Sequence, residues 1–223
     1  METLYQIDVS IFRLINEAWA NPFFDVLMPF ATHLKRSWPI TAAAILFVLV
    51  RRRWDGLSIV LLSVLAVAVA DQTASGLFKP LVQRTRPCFE LENVRLLIDQ
   101  VRSYSFASSH AANSFAVATM TWIYFGKSPD KLDKAFAWFM IVYASINSYS
   151  RVYIGVHYPS DVLGGAAMGV VSAILIYTLF AFLFKNYLKP RWDARRMKRM
   201  TVAKNAIPDT PSLADHAGEQ EKA

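Results

Sequence analysis

Residues 150–161 read S-R-V-Y-I-G-V-H-Y-P-S-D, between two apolar runs at 135–149 and 162–184. Arg151, His157 and Asp161 therefore stand at the junction of two candidate membrane helices. Charged and titratable groups are costly near hydrocarbon, so a cluster of them there marks function. Two further polar clusters lie upstream: K-P-L-V-Q-R-T-R-P over 79–87 and F-A-S-S-H over 106–110. The fold turns on whether one topology brings all three to the same place.

Composition places the chain in a membrane. Of its 223 residues 54% are hydrophobic and only 18% charged, against about 25% charged in soluble domains. The formal charge of +7 sits in blocks that flank apolar segments rather than interleaving with aromatics, which argues against nucleic acid as a partner. The start, M-E-T-L-Y-Q-I-D-V-S, holds two acids and no basic region, so no cleavable signal is expected. The single cysteine, Cys88, excludes an internal disulfide and a multi-cysteine metal site.

Six apolar segments follow residue 21, at 22–34, 38–50, 57–78, 106–125, 135–149 and 162–184. A spanning helix needs ~20 residues, which the third, fourth and sixth supply unaided. The expected fold is all-α, a polytopic six-transmembrane-helix bundle. Residues 4–19 carry Leu4, Ile7, Ile11, Leu14 and Ile15 at helical spacing. That pattern suits an amphipathic helix lying on the membrane surface or packing on the bundle. The expected division is an interfacial helix over 1–20, a membrane domain over 21–185 and a basic, partly disordered tail over 186–223.

Arg51–Arg53, the lysines at 127, 131 and 134, and the basic residues after 185 fall on one face if six segments cross. The positive-inside rule makes that face, and both termini, cytoplasmic. All three polar clusters then meet on the outer face. Lys79, Arg84, Arg86 and Arg151 run against the orientation signal there and need an anionic partner.

Lys79, Arg86 and Arg151 supply cations suited to a tetrahedral oxyanion. Ser108 and Ser109 add hydroxyl donors, and a helix beginning near Ser108 turns its free N–H groups toward the same anion. His110 and His157 are the two histidines within the clusters. With an acid, they can divide phosphoryl transfer between a nucleophile and a proton carrier. Asp161 is placed to hold His157 in one tautomer. No metal and no cofactor is expected, since the nearby acids lack ligand spacing. Singly, these residues have plainer readings: Lys79 and Arg151 as interfacial anchors, His157 with Asp161 as a structural hydrogen bond. Arg84 reads either as a second phosphate contact or as a headgroup-facing charge. Asp71 in the third segment reads as structural, with Asn113, Asn147 or Lys79 as partner, and Gly165 and Gly169 as a close helix contact.

Together the clusters resemble the signature of the type-2 phosphatidic acid phosphatase superfamily. K-x6-R-P matches Lys79, Arg86 and Pro87, and S-R-x5-H-x3-D matches Ser150, Arg151, His157 and Asp161. P-S-G-H is met as Ala107-Ser108-Ser109-His110, keeping the serine and the histidine. The resemblance implies His157 as a nucleophile forming phosphohistidine, His110 as general acid then base, and Asp161 as the orienter of His157. Lys79, Arg86, Ser108, Ser109 and Arg151 would bind phosphate. It implies a bacterial inner-membrane enzyme that hydrolyses a lipid phosphate monoester or diphosphate on the extracytoplasmic face, with no obligatory protein partner. Undecaprenyl diphosphate is the favoured substrate, and phosphatidylglycerophosphate and lipid A are the alternatives. From a different class, a phospholipid transporter or flippase would bind without hydrolysis. A vanadate-dependent oxidase is a third reading.

Overall fold

The computed structural model describes residues 2–190, and the expected tail beyond them lies outside the described residues. Met1–Thr178 is one compact unit, and a second begins at Leu179. Among the described residues every regular element is helical.

Helix α1 covers Glu2–Arg13, and α2 covers Pro22–Thr32. Asn21 caps α2 by accepting the Phe24 N–H at 3.0 Å, with Pro22 pre-set for the first turn. Helix α3, Leu34–Asp71, doubles back at Arg53, where φ is 51° and ψ −121°. A straight helix would hold residues 48 and 56 about 12 Å apart along its axis. Here a Cβ on Gly56 would lie 2.6 Å from the Val48 carbonyl oxygen. Val48 and Ile59 also share a core cluster with Phe125 and Ala137. The two arms are the second and third apolar segments, folded as a hairpin. The second arm runs on through a widened turn, Gln72–Phe78, into α4, Lys79–Val82.

After the short α5, Pro87–Glu90, come α6, Ser109–Phe125, α7, Lys131–Tyr153, and α8, Pro159–Leu183. Helix α6 packs between α3 and α7, and α2 packs on α7. Helix α8 approaches α6 closely. A Cβ on Gly165 would fall 2.3 Å from the Ser108 carbonyl oxygen, and one on Gly169 would fall 2.2 Å from that of Ala112. The expected close contact at these glycines is thus real.

Charge separates the two ends of the bundle. Arg51 and Arg52 donate to Asp133 at 2.7 and 2.8 Å, and Arg51 also pairs with Asp130. The α3 reversal and the α6–α7 connection therefore share one end. Lys79, Ser108 and His157 lie at the other. The stretches Ser37–Glu90 and Pro159–Tyr187 are long and apolar enough to cross a membrane. Their outward side chains, among them Leu61, Val64, Leu163 and Val171, are apolar and exposed. An apolar exterior of that kind suits a lipid solvent.

Helix α1 and the widened turn that continues it, Leu14–Ala18, meet the rest of the protein through their less apolar side. Leu4, Ile7, Ile11 and Leu14 are exposed, while Asp8, Phe12 and Asn16 are buried. Of the two expectations for this helix, packing on the protein is seen directly. The exposed stripe is apolar and faces away from the protein.

Candidate active site

The connection between α7 and α8 is only five residues, 154–158, because Arg151 belongs to the last turn of α7 and Pro159 starts α8. Gly155 has φ +88°, and a Cβ there would meet the Arg95 carbonyl oxygen at 2.8 Å. Only glycine turns the chain that tightly at this point. The turn is pinned by the Val156 and His157 N–H groups, which both donate to the Arg151 carbonyl at 3.2 Å.

His157 is 1% exposed and has three side-chain partners, one of them Ser105 Oγ at 3.4 Å from Nδ1. Arg86 lies 3.0 Å from Nε2, and Asp161 Oδ2 lies 3.5 Å from Nδ1. A guanidinium only donates, so Nε2 must offer its lone pair and Nδ1 must carry the proton. Burial, reinforced by the Arg86 and Arg151 charges, pushes the imidazole pKa down to about 3. The ring is thus neutral, with its basic nitrogen turned toward the cations. Asp161 is fully buried and takes four donors. Ser105 Oγ and the Tyr158 N–H reach Oδ2 at 2.5 and 2.9 Å, the His157 side makes the long contact, and Arg84 reaches Oδ1 at 2.9 Å.

Around that pair stand the other cations and hydroxyls. Lys79 Nζ donates to Ser109 Oγ at 2.9 Å, and Ser109 also bonds Ser75 at 2.7 Å. Arg86 further donates to the Val156 carbonyl at 2.9 Å and to the Ser103 carbonyl at 3.1 Å. Arg151 uses one terminal nitrogen on Thr32 at 2.7 Å. Its buried Nε, and the buried Oγ of Ser108, have no hydrogen-bond partner among the described residues. Ser108 is the N-cap residue of α6, yet its hydroxyl makes no cap bond. Its N–H instead donates to the Asp161 carbonyl at 3.0 Å, which ties the start of α6 to the first turn of α8. Donors left unpaired while buried are costly, and these two are free to bond an anion.

His110, in the first turn of α6, lies within electrostatic reach of Arg151, His157, Lys79 and Arg86. It lines a cavity of about 510 Å³ among α3, α6 and α7. Thr32 and Asn113 line that cavity near the cations, and Val48, Ile59 and Phe136 line it toward the α3 reversal. His110 is exposed, with surface open to the cavity. The structure therefore gathers Lys79, Arg86, Ser108, Ser109, His110, Arg151, His157 and Asp161 at one end of the bundle.

Several residues of this site carried no sequence signal. Ser105 lies just before the 106–110 cluster, and only the folded chain brings its hydroxyl onto Asp161. Thr32 and Asp8 come from α2 and α1, far away in sequence. Arg84 is neither of the things expected of it: its guanidinium bridges Asp161 and Asp8 at 2.9 and 2.7 Å. Asp71 takes one of its expected partners, accepting from Asn113 at 3.1 Å.

Comparison with known proteins gives the family. The PAP2 superfamily model matches residues 56–185. The chain belongs to the PAP2 superfamily, and it is a membrane phosphatase. It is 32% identical over 184 residues to the lipid A 4'-phosphatase of Bacteroides thetaiotaomicron, covering 79% of this chain and 78% of that one. It is 30% identical over 166 residues to the undecaprenyl-diphosphatase of Sulfolobus acidocaldarius, covering 73% of each. The crystal structure of a transmembrane PAP2-type phosphatidylglycerolphosphate phosphatase from Bacillus subtilis superposes with a TM-score of 0.62 at 25% identity. That match covers 84% of this chain and 90% of that one.

Proposed function

We propose that this phosphatase hydrolyses a lipid phosphate monoester through a phosphohistidine on His157. The observation that carries the reading is the pair of unpartnered buried donors, Ser108 Oγ and Arg151 Nε, beside the neutral, cation-facing Nε2 of His157. In the proposed sequence Lys79, Arg86, Arg151, Ser108 and Ser109 hold the phosphoryl oxygens. Charge that builds on those oxygens meets donors already in place. Nε2 attacks phosphorus as the P–O bond to the lipid breaks, and His110 gives a proton to the leaving oxygen. His110 then takes a proton from water, which attacks the phosphohistidine and frees phosphate. Asp161 holds the Nδ1 proton throughout. The apolar cavity beside His110 offers room for a hydrocarbon chain of the substrate.

The preference for undecaprenyl diphosphate gives way to a monoester of the lipid A type. Arg84, the candidate for a second phosphate, is committed to two carboxylates. Relatives acting on lipid A 4'-phosphate and on undecaprenyl diphosphate match this chain about equally in identity, the former over more of it. Six crossings, a bacterial inner membrane, an outward-facing site, cytoplasmic termini and a surface role for α1 complete the proposal. The exposed apolar residues and the basic end at Arg51–Arg53 support it.

Protein purified in detergent is expected to release phosphate from lipid A faster than from undecaprenyl diphosphate, phosphatidylglycerophosphate or phosphatidic acid, and His157→Ala to release none. Activity that survives in His157→Ala would refute the nucleophile. In spheroplasts of a Cys88→Ser background, a membrane-impermeant thiol reagent should reach Val101→Cys but not Lys127→Cys. The reverse pattern would invert the topology.

A further inference from the structure

We propose that the N-terminal helix is a working part of the active site. In this proposal Asp8 and Arg84 are positioning residues that set the orientation of Asp161 and, through it, of His157. The inference rests on the reading of His157 and Asp161 given above. It also goes beyond the matched family region, which begins at residue 56.

Arg84 is the link. One arm of its fork donates to Asp161 Oδ1 at 2.9 Å and to Ser160 Oγ at 2.7 Å, and the other donates to Asp8 Oδ2 at 2.7 Å. Its guanidinium carbon lies 3.9 Å from the centroid of the Tyr158 ring, which supports the plane from below. The Arg84 carbonyl accepts the Ser105 N–H at 2.8 Å, so the same residue also places the hydroxyl that meets Asp161 Oδ2. Asp8 completes the frame. Its Oδ1 accepts the Ser160 N–H at 2.9 Å and its Oδ2 the Ser160 hydroxyl at 2.5 Å.

The rest of α1 and the turn that continues it are anchored to hold Asp8 there. Tyr5 donates to Glu90 at 2.9 Å, and Glu90 also accepts from Tyr158 at 3.0 Å. Phe12 packs 5.7 Å, centroid to centroid, from the Tyr158 ring. Asn16 donates to the carbonyls of Arg95 and Tyr153 at 2.9 and 2.7 Å. Tyr5, Asp8, Phe12 and Asn16 recur at helical spacing and form a single stripe facing the His157 loop.

The geometry makes this frame matter to chemistry. The Nδ1 contact to Asp161 is 3.5 Å, at the outer limit of a hydrogen bond. A small rotation of the carboxylate therefore makes or loses it. Oδ1 has a single Arg84 nitrogen as its side-chain donor, and the fork's other arm, held by Asp8, fixes the direction from which that nitrogen approaches. Without Asp8 the second arm of Arg84 has no carboxylate, and the side chain, 19% exposed, is free to turn away. The plainer reading is that Asp8 merely caps α8 through the Ser160 N–H.

Three variants, Asp8→Asn, Arg84→Gln and the double, separate the two readings. Ser10→Ala on the outward side of α1 serves as control. For the two single variants kcat should fall by about 10- to 100-fold, as when an outer partner of a metal-bound imidazole is lost. KM should stay within about twofold, since phosphate binding is untouched. The double variant should be no slower than Arg84→Gln alone, and the control should match the unaltered protein. The His157 Nδ1 proton resonance should also move in Asp8→Asn, a readout that needs no turnover. An unchanged kcat and an unmoved resonance, with only Tm lowered, would overturn the proposal. So would losses that multiply in the double variant. Where a variant fails to fold, Asp8→Glu and Arg84→Lys keep the charges but spoil the fork, and the same criteria apply. Inactivity of the unaltered protein on every lipid phosphate would instead count against the phosphatase reading, and the resonance would still decide the role of Asp8.

Discussion

The hydroxyl of Ser108 stands at the start of α6 without bonding to it, although serine is among the best residues for that bond. A group spared from its ordinary local work, and buried, is available to a ligand. Ser108→Ala should therefore lower kcat by about 10²–10³-fold, the usual effect of removing one donor to a developing oxyanion. Tm should hold or rise, because the substitution removes an unpaired buried hydroxyl. Steady-state kinetics with a melting curve checks both, and a lowered Tm with normal kcat would make Ser108 a structural residue. At this scale the sequence was most informative where partners are near in the chain. His157 and Asp161 are four apart across a helix start, and their pairing could be read from spacing. Ser105 and Arg84 reach Asp161, and Asp8 reaches Arg84 and Ser160, only through tertiary folding, and no local pattern marks Ser105 or Asp8. Arg84 had the right chemistry for either expected role. The two carboxylates that claim it lie 77 and 76 residues away.

Helices α6 and α8 meet where a side chain would not fit. The first added carbon at Gly165 would lie 2.3 Å from the Ser108 carbonyl, which is backbone and cannot yield. Gly165→Ala should push α8 away from the start of α6, stretching the Ser108 N–H bond to Asp161. Overpacking of this kind costs about 1–3 kcal/mol, seen as a lower Tm, and kcat should fall with it because Ser108 and Asp161 separate. A variant with normal Tm and kcat would show that the interface tolerates the shift. The small-residue spacing made this contact legible in advance. For α1 the helical period was equally plain, but its inward side was not. In water the apolar stripe would face the protein. Here that stripe faces outward, and Asp8 and Asn16 turn in to partners that sequence alone does not reveal. The reversal of α3 at Arg53 was visible only as three arginines between apolar runs.

Across the whole molecule, charge is sorted to the two ends. Arg51 and Arg52 are neutralised by Asp133 and Asp130 at one end. At the other, Lys79, Arg86 and Arg151 face two histidines and hydroxyl donors. The alternation of apolar segments foretold that the three polar clusters would meet, because each lies an even number of crossings from the next. It gave no account of residues 91–105, which return over the site so that Ser105 and Arg95 pack against the His157 loop. Such a path depends on packing, which periodicity does not encode. The most direct test of the account is to quench the purified protein during turnover of a phosphorus-labelled lipid phosphate and map the label by mass spectrometry. The account predicts phosphate on His157, absent in His157→Ala and longer-lived in His110→Ala, where water activation is lost. Turnover with no covalent phosphate, or the same label persisting in His157→Ala, would contradict it.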